Sequence, residues 1–315
     1  LKKETNVLVV GELNVDLILD RLEKFPELGK EVIANRMLLT LGSSSAIFAS
    51  NLAVLGTRVS FCGRVGQDNF GDKIISDLAS KGVQVNHIIR SRSADTGITV
   101  ALNVSEDRAM VTYPGAMNEF CEDDITDDML DAASHLHVSS VFLQPALRPG
   151  LVKLFRRAKQ KGLSTSMDPQ WDPAEQWAFG TTELLPEINI FLPNLEELKN
   201  ITRRSSLEEG LSCIKEISDI VVVKNGNSGA TLQKGNNVLQ QQALLNKEVA
   251  DAIGAGDSFN AGFIHRYVQG SPLEECLRFG ALCGAVNTTR SGGTTAFADY
   301  DTFRQLALQH FNIQL

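Results

Sequence analysis

The stretch Val249-Ala-Asp-Ala-Ile-Gly-Ala-Gly-Asp-Ser-Phe-Asn-Ala-Gly-Phe-Ile-His-Arg-Tyr-Val268 joins a glycine-bearing turn to an amphipathic helix. Apolar residues recur at Phe259, Phe263, Ile264, Tyr267 and Val268, the spacing of one helical face, and Gly270 with Ser271-Pro272 ends it. The helix therefore begins near Asp257. Gly254 and Gly256 lack a Cβ, so backbone N–H groups can close on a ligand while the helix dipole adds positive charge there, which makes an anion site. Asp257, in the first turn, is either a plain N-terminal acid that complements the dipole or a general base beside a bound phosphate. Two glycines within three residues exceed what a helix entry needs, and Asp251 brings a second carboxylate. No Gly-Lys-Ser/Thr occurs in the chain, and the third glycine of a dinucleotide fingerprint would fall at Phe259, so neither common nucleotide motif accounts for the turn.

Asp251-Ala252-Ile253-Gly254-Ala255-Gly256-Asp257 resembles the Asp-Thr-x-Gly-Ala-Gly-Asp signature of ribokinase-like (PfkB-type) carbohydrate kinases, with Ala252 where Thr is usual. The resemblance extends over roughly residues 6 to 310. It implies that Asp257 is the base and that the N–H groups of Gly254, Ala255 and Gly256 form an anion hole for the transferred phosphoryl group.

Composition fits such a chain. With 315 residues, 43% hydrophobic and 22% charged, it can bury a sizeable core. A net charge of −8 offers no basic footprint for nucleic acid or an anionic membrane. The five cysteines show no CxxC spacing, which argues against a zinc site or a disulfide framework. Nothing at Leu1-Lys2-Lys3-Glu4 reads as a signal peptide, and no apolar run reaches the ~18 residues of a membrane helix. A cytoplasmic protein is expected.

Val7-Leu-Val-Val10 reads as a strand buried on both faces. Glu12, Asn14 and Asp16 follow at alternate positions and can share one face at its carboxyl end, where open α/β sheets bind ligands. The family has Asn-x-Asp here, which implies that Asn14 and Asp16 hold sugar hydroxyls. Short strands are expected between Gly29 and Leu39, and again at Gly97–Asn103 and Ala109–Tyr113 around the charged turn Ser105-Glu-Asp-Arg108. Together these segments, near 12–40 and 95–115, would make a small antiparallel sheet that the resemblance reads as a substrate lid, and through which a homodimer could form.

Leu41–Gly56 reads as a helix with a tightly approached start. Family members usually carry Gly-Gly and a later Asn here. This chain has Gly42 and Ala46, with Ser43, Ser44 and Ser45 offering hydroxyls instead. Gly63–Gly71 reads as a loop, Glu122–Asp124 as a solvated helix start and Leu136–Phe142 as a strand, with Gln144 just beyond it within reach of substrate. His135 and His137, two apart without a third ligand, read as ordinary histidines rather than a metal site.

Asp168-Pro169 resembles the family's Asp-Pro at a strand end, which implies a place for Asp168 in cofactor binding. Asn194 and Glu197 have the spacing of a capping box, and the family reading adds organisation of Mg²⁺ and phosphate, with Glu197 acting through water. Lys224, Asn225, Gly226 and Gly229 resemble the segment bordering ATP. Ser271–Glu274 reads as a second capping box, opening a helix that borders adenine in the family, with Cys283 and Asn287 as candidates. Thr289–Gly293 and the Asp251–Ile253 segment resemble the loops that bind a monovalent cation, K⁺, in some members.

Strands alternating with helices predict a three-layer α/β sandwich, a mainly parallel central sheet with helices on both faces and a small inserted β-sheet lid, as one kinase domain over residues 1–315. The implied activity is ATP- and Mg²⁺-dependent phosphorylation of a sugar-like hydroxyl. A nucleoside kinase of the same family is the alternative, since Phe25, Met37 and Met110 could wall a base. A non-catalytic sugar sensor ranks behind both, because Asp257 and both glycines are intact.

Overall fold

β1 (Asn6–Val10) is buried along its length, and its alternate residues divide between two cores. Leu8 and Val10 share one core with Leu154 and Phe155 of the Leu151–Gln160 helix. Val7 and Val9 share the other with Phe48 of the Ser44–Val54 helix and Phe263 of the Ala255–Val268 helix. A strand covered on both faces must be apolar at successive positions, which is why this run has no polar break. β2 (Asn14–Asp20), β3 (Arg36–Leu41), β4 (Arg58–Val65), β5 (Gln84–Arg90), β6 (Gly97–Val104), β7 (Asp107–Tyr113), β8 (His135–Ser139), β9 (Ser164–Asp168), β10 (Ile190–Phe191), β11 (Ile220–Lys224), β12 (Ala230–Lys234) and β13 (Asn237–Gln241) complete the strands. This computed structural model describes residues 5–104, 107–178 and 180–315, and the side chains of residues 107 and 108 are not among those described. The reading of residues 1–4, and residues 105–106 of the charged turn, lie outside that set.

The large sheet has the order β13-β12-β11-β10-β9-β8-β1-β4-β5. Neighbours from β11 through β5 run parallel, and β12 and β13 add an antiparallel edge. Helices cover both faces, as expected. Because the central strands are parallel, their carboxyl ends lie along one edge, and Glu12, Asp168, Asn194 and Lys224 all fall at or just past such ends.

A separate four-stranded sheet has the order β3-β2-β6-β7 and comes from the two segments expected to form it. It is mixed rather than antiparallel, since β2 and β6 pair parallel while the outer pairs are antiparallel. β2 follows β1 and β6 follows β5, and strands leaving the same edge of a parallel sheet travel in the same direction.

Local boundaries differ in several places. Residues 63–65 extend β4 instead of opening the loop. β8 stops at Ser139, where Ser140 adopts a φ of 55° and turns the chain into a 3-10 turn at Val141–Leu143. Of the stretch from Gly29 to Leu39 only the part from Arg36 onward is a strand, and it runs on to Leu41. Glu122 is buried and paired with Arg157 and Lys153, so the acidic segment is not simply solvated. Pro272 occupies the N-cap of the Leu273–Asn287 helix with no side-chain cap, so the capping box expected there does not form. Among the described residues no helix is long and apolar enough to cross a membrane.

Candidate active site

Gly254 takes a φ of 74° at the N-cap of the Ala255–Val268 helix, and a Cβ there would come 2.6 Å from Gly293 Cα. Conformation and space both require glycine. Ser258 closes the turn, its N–H and Oγ donating to Gly254 O at 2.8 and 2.7 Å. Gly256 is different: a Cβ there would meet nothing nearer than Lys224 Nζ at 3.7 Å. The protein leaves room at this position, and Gly254, Ala255 and Gly256 line the same cleft. The helix starts two residues before Asp257, which therefore lies in its first turn, as expected.

Asp168, fully buried at the end of β9, gathers the polar groups beneath that turn. Its Oδ2 accepts from Lys224 Nζ at 2.6 Å, from Gln170 Nε2 at 3.0 Å and from Asn260 Nδ2. Lys224 Nζ also reaches Asn260 Oδ1 at 3.3 Å. Gln170 Nε2 donates in addition to Asp257 Oδ1 at 3.0 Å, which ties the base candidate to the hub. Burial pushes the Asp257 carboxyl well above its ordinary value of 3.8, the Asp168 charge adds to this, and Lys224 and a hydrogen bond from Ser44 oppose it. A raised carboxyl beside a cleft is the environment that tunes a general base.

Asn194 and Glu197 form the expected capping box in both directions. Glu197 N–H donates to Asn194 Oδ1 at 2.8 Å, and Asn194 N–H donates to Glu197 Oε2 at 2.8 Å. Burial, then the Asp168 charge, pushes Glu197 up to about 7, while Lys224 and the bond from Asn194 pull the other way. Asn194, Glu197, Lys224, Gly226 and Gly229 line one cleft of about 660 Å³ with Asp257.

Asn14, Asp16 and Gly42 are not among the residues lining that cleft; Asn14 Nδ2 donates to Asp16 Oδ1 and to Thr99 Oγ1, each at 3.0 Å, so β2 and β6 hold these groups together. Gly42 N–H donates to Asn14 O at 3.1 Å, which brings the loop before the Ser44–Val54 helix against them. The serines of that helix start are largely committed within the protein. Ser43 Oγ donates to Glu12 O at 2.6 Å and accepts from Ala46 N–H at 3.0 Å, so it is a helix cap rather than the substrate group expected. Ser45 donates through its N–H and Oγ to the buried Glu12 carboxylate, and Ser44 bonds Asp257. Burial raises Glu12 despite the bonds from Ser45 and Ser140.

Further expectations change for Gln144, Cys283, Asn287 and Asn225. Gln144 is fully buried, and its Nε2 donates to Ser139 O at 2.8 Å and Ser140 O at 3.2 Å, so it braces the end of β8 instead of lining the cleft. Cys283 and Asn287 are also fully buried. On the Leu273–Asn287 helix the cleft-facing positions are Ala281, Gly284 and Ala285, while Cys283 and Asn287 are rotated away by helical geometry. Asn287 Nδ2 instead holds Ile253 O at 2.6 Å. Asn225 does not line the cleft; its N–H closes the turn onto Gly229 O at 2.8 Å. Asp251 accepts from Ile253 N–H at 2.9 Å and Gly292 N–H at 3.1 Å, so its carboxylate laces the two loops that the cation reading had paired.

Gln170 and Asn260 join the site without having been expected from the sequence. Asn260 sits one turn after Asp257, a spacing that puts both on one helical face and could have drawn attention to it. His135 and His137 are buried and bonded to Ser164, Ser166 and Ser139, as ordinary core histidines. Among the described residues no group of three or more His, Cys, Asp or Glu side chains is arranged to hold a metal.

Residues 4–299 match the sequence pattern described as pfkB family carbohydrate kinase. The chain is 29% identical over 234 residues to an uncharacterized sugar kinase of Archaeoglobus fulgidus, covering 74% of this chain and 92% of that protein. The structure of Arabidopsis thaliana ribokinase complexed with ribose and ATP superposes with a TM-score of 0.82 at 24% identity, over 96% of this chain and 98% of that one. An E. coli protein described as ribokinase II, in complex with ATP and Mg²⁺, gives 0.84 at 23% identity, over 97% and 100%.

Proposed function

The chain belongs to the pfkB family of carbohydrate kinases, and from that premise we propose that it transfers the terminal phosphoryl group of ATP to a hydroxyl of a sugar or sugar-like compound. The observation that carries the reading is the buried Asp257 carboxylate in the first turn of a glycine-started helix, on the cleft shared with Lys224 and Glu197. Asp257 takes the proton of the acceptor hydroxyl as its oxygen attacks phosphorus. The N–H groups of Gly254, Ala255 and Gly256 stabilise charge on the phosphoryl oxygens.

Asn14 and Asp16 hold acceptor hydroxyls, and Gly42 gives them room. Lys224 meets phosphate, the Gly226–Gly229 turn borders the nucleotide, and the small side chains Ala281, Gly284 and Ala285 give a flat wall for its base. The buried Glu197 and the half-buried Asn194 at the cleft fit a hydrated Mg²⁺, which when bound would neutralise phosphate charge. The match over residues 4–299 supports one catalytic domain, with the four-stranded sheet as a lid that excludes water. Met37, Met110, Val111 and Tyr113 are exposed on that sheet, which supports pairing of two copies through it. The five cysteines are unpaired, which supports a reducing, cytoplasmic setting.

The test is an ADP-release screen with ATP and Mg²⁺ over pentoses, hexoses, sugar acids, inositols and nucleosides. Turnover of a sugar or sugar-like compound is the expected result. A preference for nucleosides over every sugar would move the assignment to a nucleoside kinase, and ADP release with none would overturn the reading.

A further inference from the structure

Gln170 ties the base candidate to the carboxylate at the centre of the polar cluster. Its Nε2 carries two hydrogens and no acceptor capacity, and they go to two different carboxylates, Asp168 Oδ2 and Asp257 Oδ1, each at 3.0 Å. Its backbone N–H also bonds Asp168, at 3.3 Å to Oδ1. The residue holds a φ of 60°, a left-handed conformation rarely adopted by a side-chain-bearing residue. The loop beyond it is fixed by Asp172, which accepts from the N–H groups of Ala174, Gln176 and Trp177. Strain of this kind persists where the surroundings over-determine it, commonly at functional sites.

Resting on the kinase reading above, we infer that Gln170 is the positioning residue for Asp257: it fixes the carboxylate plane by holding Oδ1, so that Oδ2 takes the proton of the acceptor hydroxyl. Asp168 anchors the amide, and Lys224 and Asn260 hold Asp168 in turn. Gln170 lines the cleft, but both amide hydrogens are spent on carboxylates, so it has none to donate to a substrate.

The test compares Q170G with wild type. Glycine removes the amide and accepts the left-handed backbone without strain, so the variant should fold. The charged groups facing Asp257 are Asp168, Lys224 and Glu12, and Q170G leaves all three in place. Turnover is measured by ADP release with whichever of D-ribose, D-fructose, 2-dehydro-3-deoxy-D-gluconate or adenosine reacts fastest. Loss of a hydrogen bond to a charged group should lower kcat by about 10- to 100-fold with KM for ATP and acceptor nearly unchanged. Removing a donor from the carboxylate disfavours its charged form, so the acid limb of the kcat profile should move to higher pH.

A rise in acceptor KM at unchanged kcat would make Gln170 a binding residue, and an unmoved acid limb would sever it from Asp257. Either result overturns the inference. Independently of any acceptor, thermal stability of Q170G, D257N and the double variant should be non-additive, and additive shifts would also overturn it. D257N keeping wild-type turnover would instead defeat the kinase base itself, which separates the two failures.

Discussion

A Cβ added to Gly42 would come 2.2 Å from Asp16 Oδ1 and 2.8 Å from Asn14 Nδ2, so the glycine and the Asp16 carboxylate share space that a methyl group cannot enter. Gly42→Ala should therefore displace Asp16 and imitate its loss. Asp16→Ala is expected to raise the acceptor KM about 10- to 100-fold, the range for hydrogen bonds to a charged group, with the ATP KM little changed. Steady-state kinetics on both variants check this. Equal weakening of both substrates would instead point to a structural role.

The Lys224–Asp168 pair joins a fully buried carboxylate to a lysine whose side chain is only 12% exposed. Removing one member of such a pair leaves an uncompensated charge. Lys224→Ala should cost about 3–5 kcal/mol of unfolding free energy, read by urea denaturation at pH 7, as well as raising the ATP KM. A loss below ~1 kcal/mol would mean that water or a side chain replaces the lysine.

Glu197 sets a pH dependence of stability. Its folded value of about 7 lies above the ordinary 4.5, raised by burial first and the Asp168 charge second. A carboxyl raised on folding contributes stability that is fully present below about 4.5 and lost as pH rises through about 7. Relative to Glu197→Gln, the wild type should therefore lose stability across that window, measured as the difference in thermal midpoint. A constant difference would show that Glu197 does not titrate there.

Turnover should follow the opposite sign. Asp257 acts as a base only when ionised, and burial holds it well above 3.8, so kcat should fall on acidification at a pH above the usual carboxylate range. An acid limb at the ordinary value would mean that another group controls it.

Much of this arrangement was legible in the sequence because it rests on short-range physics. The unbroken Val7–Val10 run marks a strand covered on both faces, Gly254 marks a left-handed helix entry, and Asn194 with Glu197 marks a cap. What stayed hidden depends on rotation and distance. Cys283 lies two residues from Ala281 and one from Gly284, yet the helical turn buries it while those two face the cleft. Ser43 and Ser45 look like substrate hydroxyls until Glu12, 31 and 33 residues earlier in the chain, is seen to take them. Gln170 follows an Asp-Pro pair with no periodic signal, and its link to Asp257 spans 87 residues.

The proposed role of Asp257 as the base of a phosphoryl transfer is tested most directly by removing its charge alone. Asp257→Asn removes the proton acceptor but little volume, so with the best acceptor of the screen kcat should fall by about 10²–10⁴ while both KM values stay near wild type. Turnover at the wild-type rate under saturating ATP and acceptor would contradict it.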